Sequence, residues 1–175
     1  MPCCPWAAQM PNVTGVIMDD FFRRDAATPA RLSLGQLADL PGRLRSAPRP
    51  LDLYAVLYRH EMDLPVQPFL EHIDAITYWT WCAKELPGLE SDFARFEAFA
   101  PRQRKLLGLY MWDYGASRPM PAEAMKRQCE LGLQWLRAGR VEGLVFLASC
   151  IVDVGLETVE YSRQLIAEVG QEEIG

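Results

Sequence analysis

Five short apolar runs alternate with stretches of helical periodicity along this chain. Each run has the length of a buried strand, is rich in β-branched and aromatic residues, and is apolar at successive positions. Strands that are apolar on both faces are typical of parallel sheets, because helices cover both sides of such a sheet. We therefore predict five parallel strands, at residues 13–19, 51–58, 73–81, 106–112 and 141–148.

The intervals between these runs carry helix signals. Ser33 followed by Gln36 is a capping-box pattern, which predicts a helix from there to about Arg45. Pro121 suits the first turn of a long amphipathic helix, and Gly139 suits its end. Three further helices are predicted over residues 66–72, from 90 to 99 and from 156 onward.

Five consecutive βα units leave two architectures, an open doubly wound sheet or part of a (β/α)8 barrel. A doubly wound nucleotide-binding sheet carries a glycine-rich turn after a strand, but the sequence contains no G-x-G-x-x-G motif and no P-loop. Polar and aromatic residues follow every predicted strand instead, as they do at the carboxyl ends of barrel strands. The predicted fold class is therefore α/β, a partial (β/α)8 TIM-type barrel with five parallel strands and flanking helices.

The predicted barrel is incomplete. A full barrel has eight βα units and typically about 250 residues, whereas this chain has five units in 175 residues. We expect residues 13–175 to form a single incomplete barrel domain from the last five units, and residues 1–12 to be the tail of a preceding helix or loop. An open sheet of this kind exposes two edges, so self-association through those edges is expected.

The composition and net charge of the chain argue against nucleic acid and membranes as its partners. Half of the residues are hydrophobic, and 18 lysines and arginines against 23 aspartates and glutamates give a net charge of −5. An acidic chain without a basic run is not expected to bind nucleic acid. No apolar stretch reaches the roughly 18 residues of a membrane helix. The five scattered cysteines form no disulfide framework and no signal peptide is recognisable, so we expect a cytoplasmic protein unless a signal precedes this sequence.

Two adjacent carboxylates, Asp19 and Asp20, end the first apolar run. A strand end of this kind places at least one carboxylate at the working edge of a barrel. Adjacent carboxylates in a partly dry site repel each other, which raises one pKa and makes that group an acid. In the alternative interpretation one aspartate caps the following loop and the other is solvated.

His60 and Glu61 follow the second run. A histidine beside a carboxylate is suited to act as an acid, as a base or as a hydrogen-bond donor to a substrate. Glu61 alternatively caps the short helix that follows. His60 and His72 are the chain's two histidines, and the sequence has no H-E-x-x-H and no C-x-x-C motif, so neither a metal nor another cofactor is expected.

Large rings follow the third and fourth runs. We expect no more than one of Trp79 and Trp81 to face a ligand, because aromatic residues at alternate strand positions usually belong to the core. Trp112, Asp113 and Tyr114 follow the fourth run. An aspartate between rings suits a site that stacks on a sugar and hydrogen-bonds its hydroxyls. Alternatively, Asp113 starts a turn and the rings fill the interior.

Cys150 and Asp153 follow the fifth run. No histidine lies near Cys150 in the sequence, so we expect a buried cysteine there rather than a nucleophile. Asp153 is a candidate either for the N-cap of the helix that begins near Leu156 or for a hydrogen-bond acceptor to a substrate.

The segment Thr14-Gly15-Val16-Ile17-Met18-Asp19-Asp20 resembles the fourth strand of (β/α)8 barrels of the chitinase type, glycoside hydrolase family 18. In that family the strand reads Asp-Gly-x-Asp-x-Asp-x-Glu, and its last carboxylate is the acid. The present segment keeps the glycine and a terminal carboxylate, and it has neither the earlier aspartates nor the glutamate. The resemblance extends loosely over the five βα units and implies a glycoside-hydrolase-like barrel that takes a carbohydrate.

Three functions remain open from the sequence. The first is a carbohydrate-active, glycoside-hydrolase-like protein or truncated remnant, in which Asp19 or Asp20 is one catalytic carboxyl and Asp113 or Glu61 the other. Its sugar platform would comprise Trp79, Trp81, Trp112 and Tyr114, with His60 and Asp153 as further substrate contacts. The second is a non-catalytic fragment that binds a sugar or a partner. The third is a barrel lyase or isomerase acting on a small sugar or acid, for which Lys84 is the lysine nearest a strand end.

Overall fold

The chain folds around one five-stranded sheet. A computed structural model describes residues 5–24, 27–147 and 151–173. The strands follow the order β1-β2-β3-β4-β7 in the sheet, and helices flank it, which confirms the predicted α/β class with five parallel strands of the half-barrel type. Their bounds are β1 Gly15–Met18, β2 Asp52–Tyr58, β3 Ala75–Trp79, β4 Arg104–Tyr110 and β7 Gly143–Leu147.

Helices occupy the predicted intervals. They are α1 Pro5–Gln9, α2 Leu34–Arg45, α3 Gln67–Leu70, α4 Leu89–Phe99, α5 Ala122–Arg137 and α6 Glu157–Val169, with 3₁₀ helices at Arg59–Glu61 and Ala83–Gly88. The capping box of α2 is present: Gln36 N donates to the hydroxyl of Ser33, and Ser33 N donates to the side chain of Gln36. A two-stranded antiparallel ribbon, β5 Trp112–Asp113 with β6 Arg118–Pro119, was not predicted.

Strand registers show how the ends of neighbouring strands are aligned. β1 pairs parallel with β2 from Gly15 opposite Asp52 to Met18 opposite Ala55. β4 pairs parallel with β7 over five residue pairs, and β7 ends at Leu147. The predicted end of that last strand at Ala148 lies outside the described residues, as does Cys150. Because the paired strands are parallel, the residues that follow β1 and β2 emerge at the same end of the sheet, where the strands finish.

The first strand is less buried than its apolar sequence predicts. Val16 is 37% exposed and Ile17 is 52% exposed. β1 stands at one end of the strand order, where its partner among the described residues is β2. The expectation that all five strands are covered on both faces is therefore wrong for β1. A strand at the edge of a sheet has a neighbouring strand on one side only, so fewer side chains surround its own.

Two compact units make up the described chain. The first consists of Met1–Thr77 and Phe96–Arg104, and the second of Tyr78–Arg95 and Lys105–Gly175. Fully buried side chains form the core of each unit. They include Leu37, Leu51, Leu53, Leu57 and Ile76 in the first unit, and Tyr78, Leu86, Phe93, Leu107 and Trp135 in the second.

Charged residues tie together the amino ends of the strands in the first unit. Asp74, just before β3, accepts from Arg45 Nη2 through Oδ1 and from Leu53 N through Oδ2, both at 2.8 Å. Its carbonyl accepts from Arg104 N at 3.1 Å. The Arg104 guanidinium lies 2.6 Å from an oxygen of Asp52. These bonds join α2 to the starts of three strands.

No helix among the described residues combines the length and the apolar composition that crossing a membrane would take.

Candidate functional site

The carboxyl ends of β1 and β2 bring a group of polar side chains together in the first unit. Asp19 and Asp20 follow β1, and Tyr58 ends β2 just before the 3₁₀ helix that contains His60 and Glu61. The parallel register of the two strands places these five residues at one end of the sheet, where the strands finish. We call this group the acid cluster.

A tight turn directs the two aspartates. Asp20 has a φ of 47°, a left-handed conformation that aspartate tolerates better than most residues. Its N–H donates to Asp19 Oδ1 at 2.9 Å, and its carbonyl accepts from Nε of Arg31. The next two residues, Phe21 and Phe22, are buried and hold the chain that leaves the turn. Asp19 and Asp20 are exposed. The carboxylate of Asp19 accepts its hydrogen bond from the main chain of Asp20.

Glu61 is a buried carboxyl, only 5% exposed. Its Oε2 accepts from Tyr58 N at 2.9 Å, so the side chain folds back onto the start of its own 3₁₀ helix. Burial raises the pKa of Glu61 from 4.5 to about 7. The bond from Tyr58 N and the charge of Arg24 oppose this rise, and the negative charges of Asp20 and Asp19 add to it.

Tyr58 links the two strand ends. Its hydroxyl donates to Asp20 Oδ1 at 3.3 Å, while its N–H donates to Glu61. Tyr58 therefore contacts two of the four predicted catalytic carboxyls, Asp20 and Glu61. Tyr58 was not among the predicted site residues, although a hydroxyl-bearing residue at the last position of a strand was a usable signal.

His60 is the member of the acid cluster that follows Tyr58, and it lies on the solvent side of the cluster. The imidazole is exposed and stacks on the Tyr58 ring, with centroids 5.5 Å apart and planes inclined by 4°. Arg24 donates to the His60 carbonyl and lies 3.9 Å from the Asp63 carboxylate. The bond from Arg24 therefore holds the main chain of His60, while its ring is exposed.

The acid cluster therefore holds two carboxyls in different environments. Glu61 is buried, with a pKa of about 7, so a large share of it is protonated near neutral pH. Asp20 is exposed and held by a phenolic hydroxyl. A buried carboxyl beside an exposed one is an arrangement that can supply a general acid and its partner base or nucleophile.

The second unit holds a group of aromatic side chains after β3 and β4. Trp79 is buried, and its ring packs on Tyr110 with centroids 4.6 Å apart. Trp81 is half-buried and lies 4.9 Å from the ring of Tyr114, which is also half-buried. Trp79 thus belongs to the core, whereas Trp81 and Tyr114 form a ring pair that reaches the surface. We call this pair the ring pair.

Asp113 is buried, and its contacts are all within the second unit. Its Oδ1 accepts from Ala83 N and from Ala116 N, each at 3.2 Å. Its Oδ2 lies 3.6 Å from Arg118 Nε. The carboxylate therefore fastens the β5–β6 turn to the start of a 3₁₀ helix, and these contacts match the turn alternative.

The remaining candidates are dispersed in the second unit. Trp112 lies in the β5–β6 ribbon opposite Pro119 and is half-buried. Asp153 is exposed in the turn before α6, whose N-cap is Leu156, so Asp153 does not cap that helix. Lys84 is exposed in the 3₁₀ helix that follows β3.

A metal centre is not apparent in the described segments, where no group of three or more histidine, cysteine, aspartate or glutamate side chains is arranged to hold an ion.

Comparison with known proteins gives one distant likeness. No protein-family model matches the sequence, and no curated protein matches it. Among solved structures, the chain is similar to the glycoside hydrolase domain of PgaB (BpsB) from Bordetella bronchiseptica, with a TM-score of 0.47 and 19% sequence identity. The match covers 74% of this chain and 41% of that chain. This chain therefore spans less than half the length of the structure that it resembles.

Proposed function

We propose that this protein is carbohydrate-active and glycoside-hydrolase-like, with Glu61 as the general acid and Asp20 as the second carboxyl. The observation that carries the proposal is the position of Glu61, a buried carboxyl bonded to Tyr58 N, while the Tyr58 hydroxyl donates to Asp20. Burial raises the pKa of Glu61 to about 7, and the charges of Asp20 and Asp19 add to this rise. This environment arises where two parallel strands end side by side. The relation to the chitinase type remains part of the proposal and rests on Gly15 and the carboxylates that follow β1.

Glycosidic cleavage requires the two properties that the acid cluster combines. One carboxyl must be protonated to donate to the leaving oxygen, and the other must be a carboxylate that attacks the sugar or activates water. Glu61 holds a proton near neutral pH because its charged form is desolvated. Asp20 presents its carboxylate to solvent, and the Tyr58 hydroxyl restrains one of its oxygens.

The other predicted carboxyls receive supporting roles. Asp19 positions Asp20, because its Oδ1 accepts from the Asp20 main chain. Asp113 fastens a turn in the second unit and is assigned no chemical step.

The ring pair, Trp81 and Tyr114, is proposed as a surface on which a sugar stacks. His60, Trp112 and Asp153 stay as predicted substrate contacts. Trp79 packs in the core on Tyr110, whose ring contacts both members of the ring pair.

The direct experiment measures hydrolysis of 4-nitrophenyl glycosides by the native chain and by two variants, Glu61→Gln and Asp20→Asn. We expect each variant to lower kcat by about 100- to 10,000-fold, the usual contribution of a general acid or base. The native rate should fall as the pH rises above about 7, because Glu61 loses its proton there. Glu61→Gln should lack this alkaline limb.

Asp39→Asn, an exposed change on α2, is the matched control and should keep the native rate. Asp19→Asn should give an intermediate loss, because it removes a main-chain contact rather than a reacting group. Turnover that is equal in the native chain and both cluster variants would contradict the proposal. So would the absence of turnover of every glycoside by the native chain.

Carbohydrate binding without cleavage is the second candidate. The observation that favours it is the ring pair, with ring centroids 4.9 Å apart and both side chains partly exposed. Retention on immobilised polysaccharide by the native chain, lost in Trp81→Ala and unchanged in Glu61→Gln, would identify binding through the rings. The same native chain would then hydrolyse none of the glycosides.

A further inference from the structure

Within the described residues, the edge strand β1 carries none of the protective side chains that proteins usually place at the edge of a sheet. Its four residues, Gly-Val-Ile-Met, include neither a charge nor a proline. Natural edge strands are commonly guarded by lysine, proline, a bulge or a covering loop. Val16 and Ile17 point to opposite faces because they are adjacent in a strand, yet both are exposed. β1 is therefore open on both faces at its outer side.

The outward main-chain groups of β1 can be identified from its pairing with β2. Asp52 N donates to the Thr14 carbonyl, and Val16 is in register with Leu53. In parallel pairing, alternate residues direct both of their main-chain groups to the same neighbour. Thr14, Val16 and Met18 thus face β2, and the main-chain groups of Gly15 and Ile17 face outward.

We propose that β1 is a self-association edge, at which two copies of this chain pair their β1 strands antiparallel about a two-fold axis at Val16. In this register Gly15 of one copy exchanges both of its main-chain hydrogen bonds with Ile17 of the other. The two Val16 side chains then meet across the axis. The contact is isologous, so each copy uses the same surface and the assembly closes as a dimer.

Side-chain size fits this register. Gly15 lies against the Tyr54 ring, where an added Cβ would come within 2.5 Å of Cε2. Ile17, the more exposed of the two apolar residues at 52%, would face Gly15 of the other copy and cover the Tyr54 ring. A large apolar side chain therefore pairs with a position that has none.

The charged residues at the two ends of β1 also fit the antiparallel register. The carboxyl end of β1 leads into Asp19 and Asp20, whereas at its amino end Arg49 donates to the carbonyls of Pro11 and Val13. Antiparallel pairing brings Asp19 of one copy opposite Val13 of the other, beside that Arg49. An acidic end thus meets a basic end twice in the dimer, which favours this orientation over a parallel one.

Sedimentation velocity of the full chain over a range of concentrations tests the proposal. We expect the native chain to show a dimer fraction that grows with concentration. Ile17→Lys should weaken association by about tenfold or more, because a charge would be buried at the edge. Ile166→Lys is the matched control, since Ile166 on α6 is 48% exposed and apolar, and it should leave association unchanged. Far-UV circular dichroism verifies that each variant is folded.

A charge exchange tests the register itself. Arg49→Glu and Asp19→Lys should each weaken the dimer, and the two changes together should restore it. A native chain that stays monomeric at every concentration would overturn the proposal. So would a dimer that Ile17→Lys does not weaken, one that Ile166→Lys weakens equally, or a double variant that fails to recover.

Discussion

At the scale of single residues, burial changes the chemistry of Glu61. A carboxyl in water ionises well below neutral pH, but the charged form of Glu61 would lose its hydration in the fold. Its pKa accordingly rises to about 7, although Tyr58 N donates to it. A group held in this way can give up a proton near neutral pH, which is the basis of its proposed role.

The raised pKa of Glu61 predicts a pH dependence of stability. The folded pKa is about 7 and the ordinary value is 4.5, so the contribution is fully present below about pH 4.5 and is lost as the pH rises to about 7. A shift of this size corresponds to about 3 kcal/mol. Urea unfolding at acid and alkaline pH should show Glu61→Gln losing less stability on going alkaline than the native chain does, by about that amount.

Glu71→Gln provides the control for that experiment, because Glu71 is an exposed glutamate just after α3. Its dependence on pH should follow the native chain. If Glu61→Gln also followed the native chain at both pH values, the carboxyl of Glu61 would titrate alike in the folded and unfolded states. The assignment of Glu61 as a protonated acid would then be wrong.

At the scale of elements, two glycines occupy very different surroundings. Gly108 lies in β4 under the Trp79 ring, and an added Cβ would come within 2.0 Å of a ring carbon. Gly42 lies in α2, where an added Cβ would have no neighbour within 4 Å. The absence of a side chain at Gly108 is therefore what lets a tryptophan pack flat on the strand.

Alanine at Gly108 and alanine at Gly42 should change the free energy of unfolding in opposite directions. Gly108→Ala displaces the Trp79 ring and should lower the free energy of unfolding by about 1–3 kcal/mol, the usual cost of overpacking. Gly42→Ala should raise it by about 0.4–1 kcal/mol, because the unfolded chain loses freedom and the helix gains a better former. Denaturant unfolding followed by tryptophan fluorescence measures both. A Gly108→Ala variant as stable as the native chain would show that Trp79 is not packed on β4.

At the scale of the whole molecule, the two ends of the strands in the first unit carry different groups of polar residues. Asp74 accepts hydrogen bonds from Arg45 and from the main-chain N–H groups of Leu53 and Arg104 at the amino ends of the strands. The acid cluster lies at the carboxyl ends of β1 and β2. Loops at the two ends can therefore serve separate purposes, as they do in α/β enzymes.

This division predicts that Asp74→Ala affects stability. Loss of Asp74 leaves Arg45 without its partner and Leu53 N without its acceptor, which should lower the free energy of unfolding by about 1–3 kcal/mol. Asp39→Ala, an exposed change on α2, is the control and should stay within about 0.5 kcal/mol of the native chain. Thermal unfolding measures both variants. Equal stabilities of the two would contradict the role assigned to Asp74.

The sequence by itself determined the succession of elements. Five apolar runs became five strands of one parallel sheet, and the Ser33–Gln36 box starts α2, because periodicity and capping depend on residues near one another in the chain. It also marked the carboxylates and rings after the strands as candidates. The short β5–β6 ribbon was missed, since its two-residue strands carry no periodic signal.

Only the tertiary structure decided what each candidate does. Asp113 and Glu61 are both acidic residues near strand ends, yet Asp113 is held by two main-chain N–H groups and Arg118, whereas burial raises the pKa of Glu61. The exposure of Val16 and Ile17 likewise depends on the place of β1 at the sheet edge. Burial, charge and hydrogen bonding are set by neighbours far away in the chain, and local sequence pattern does not record those neighbours.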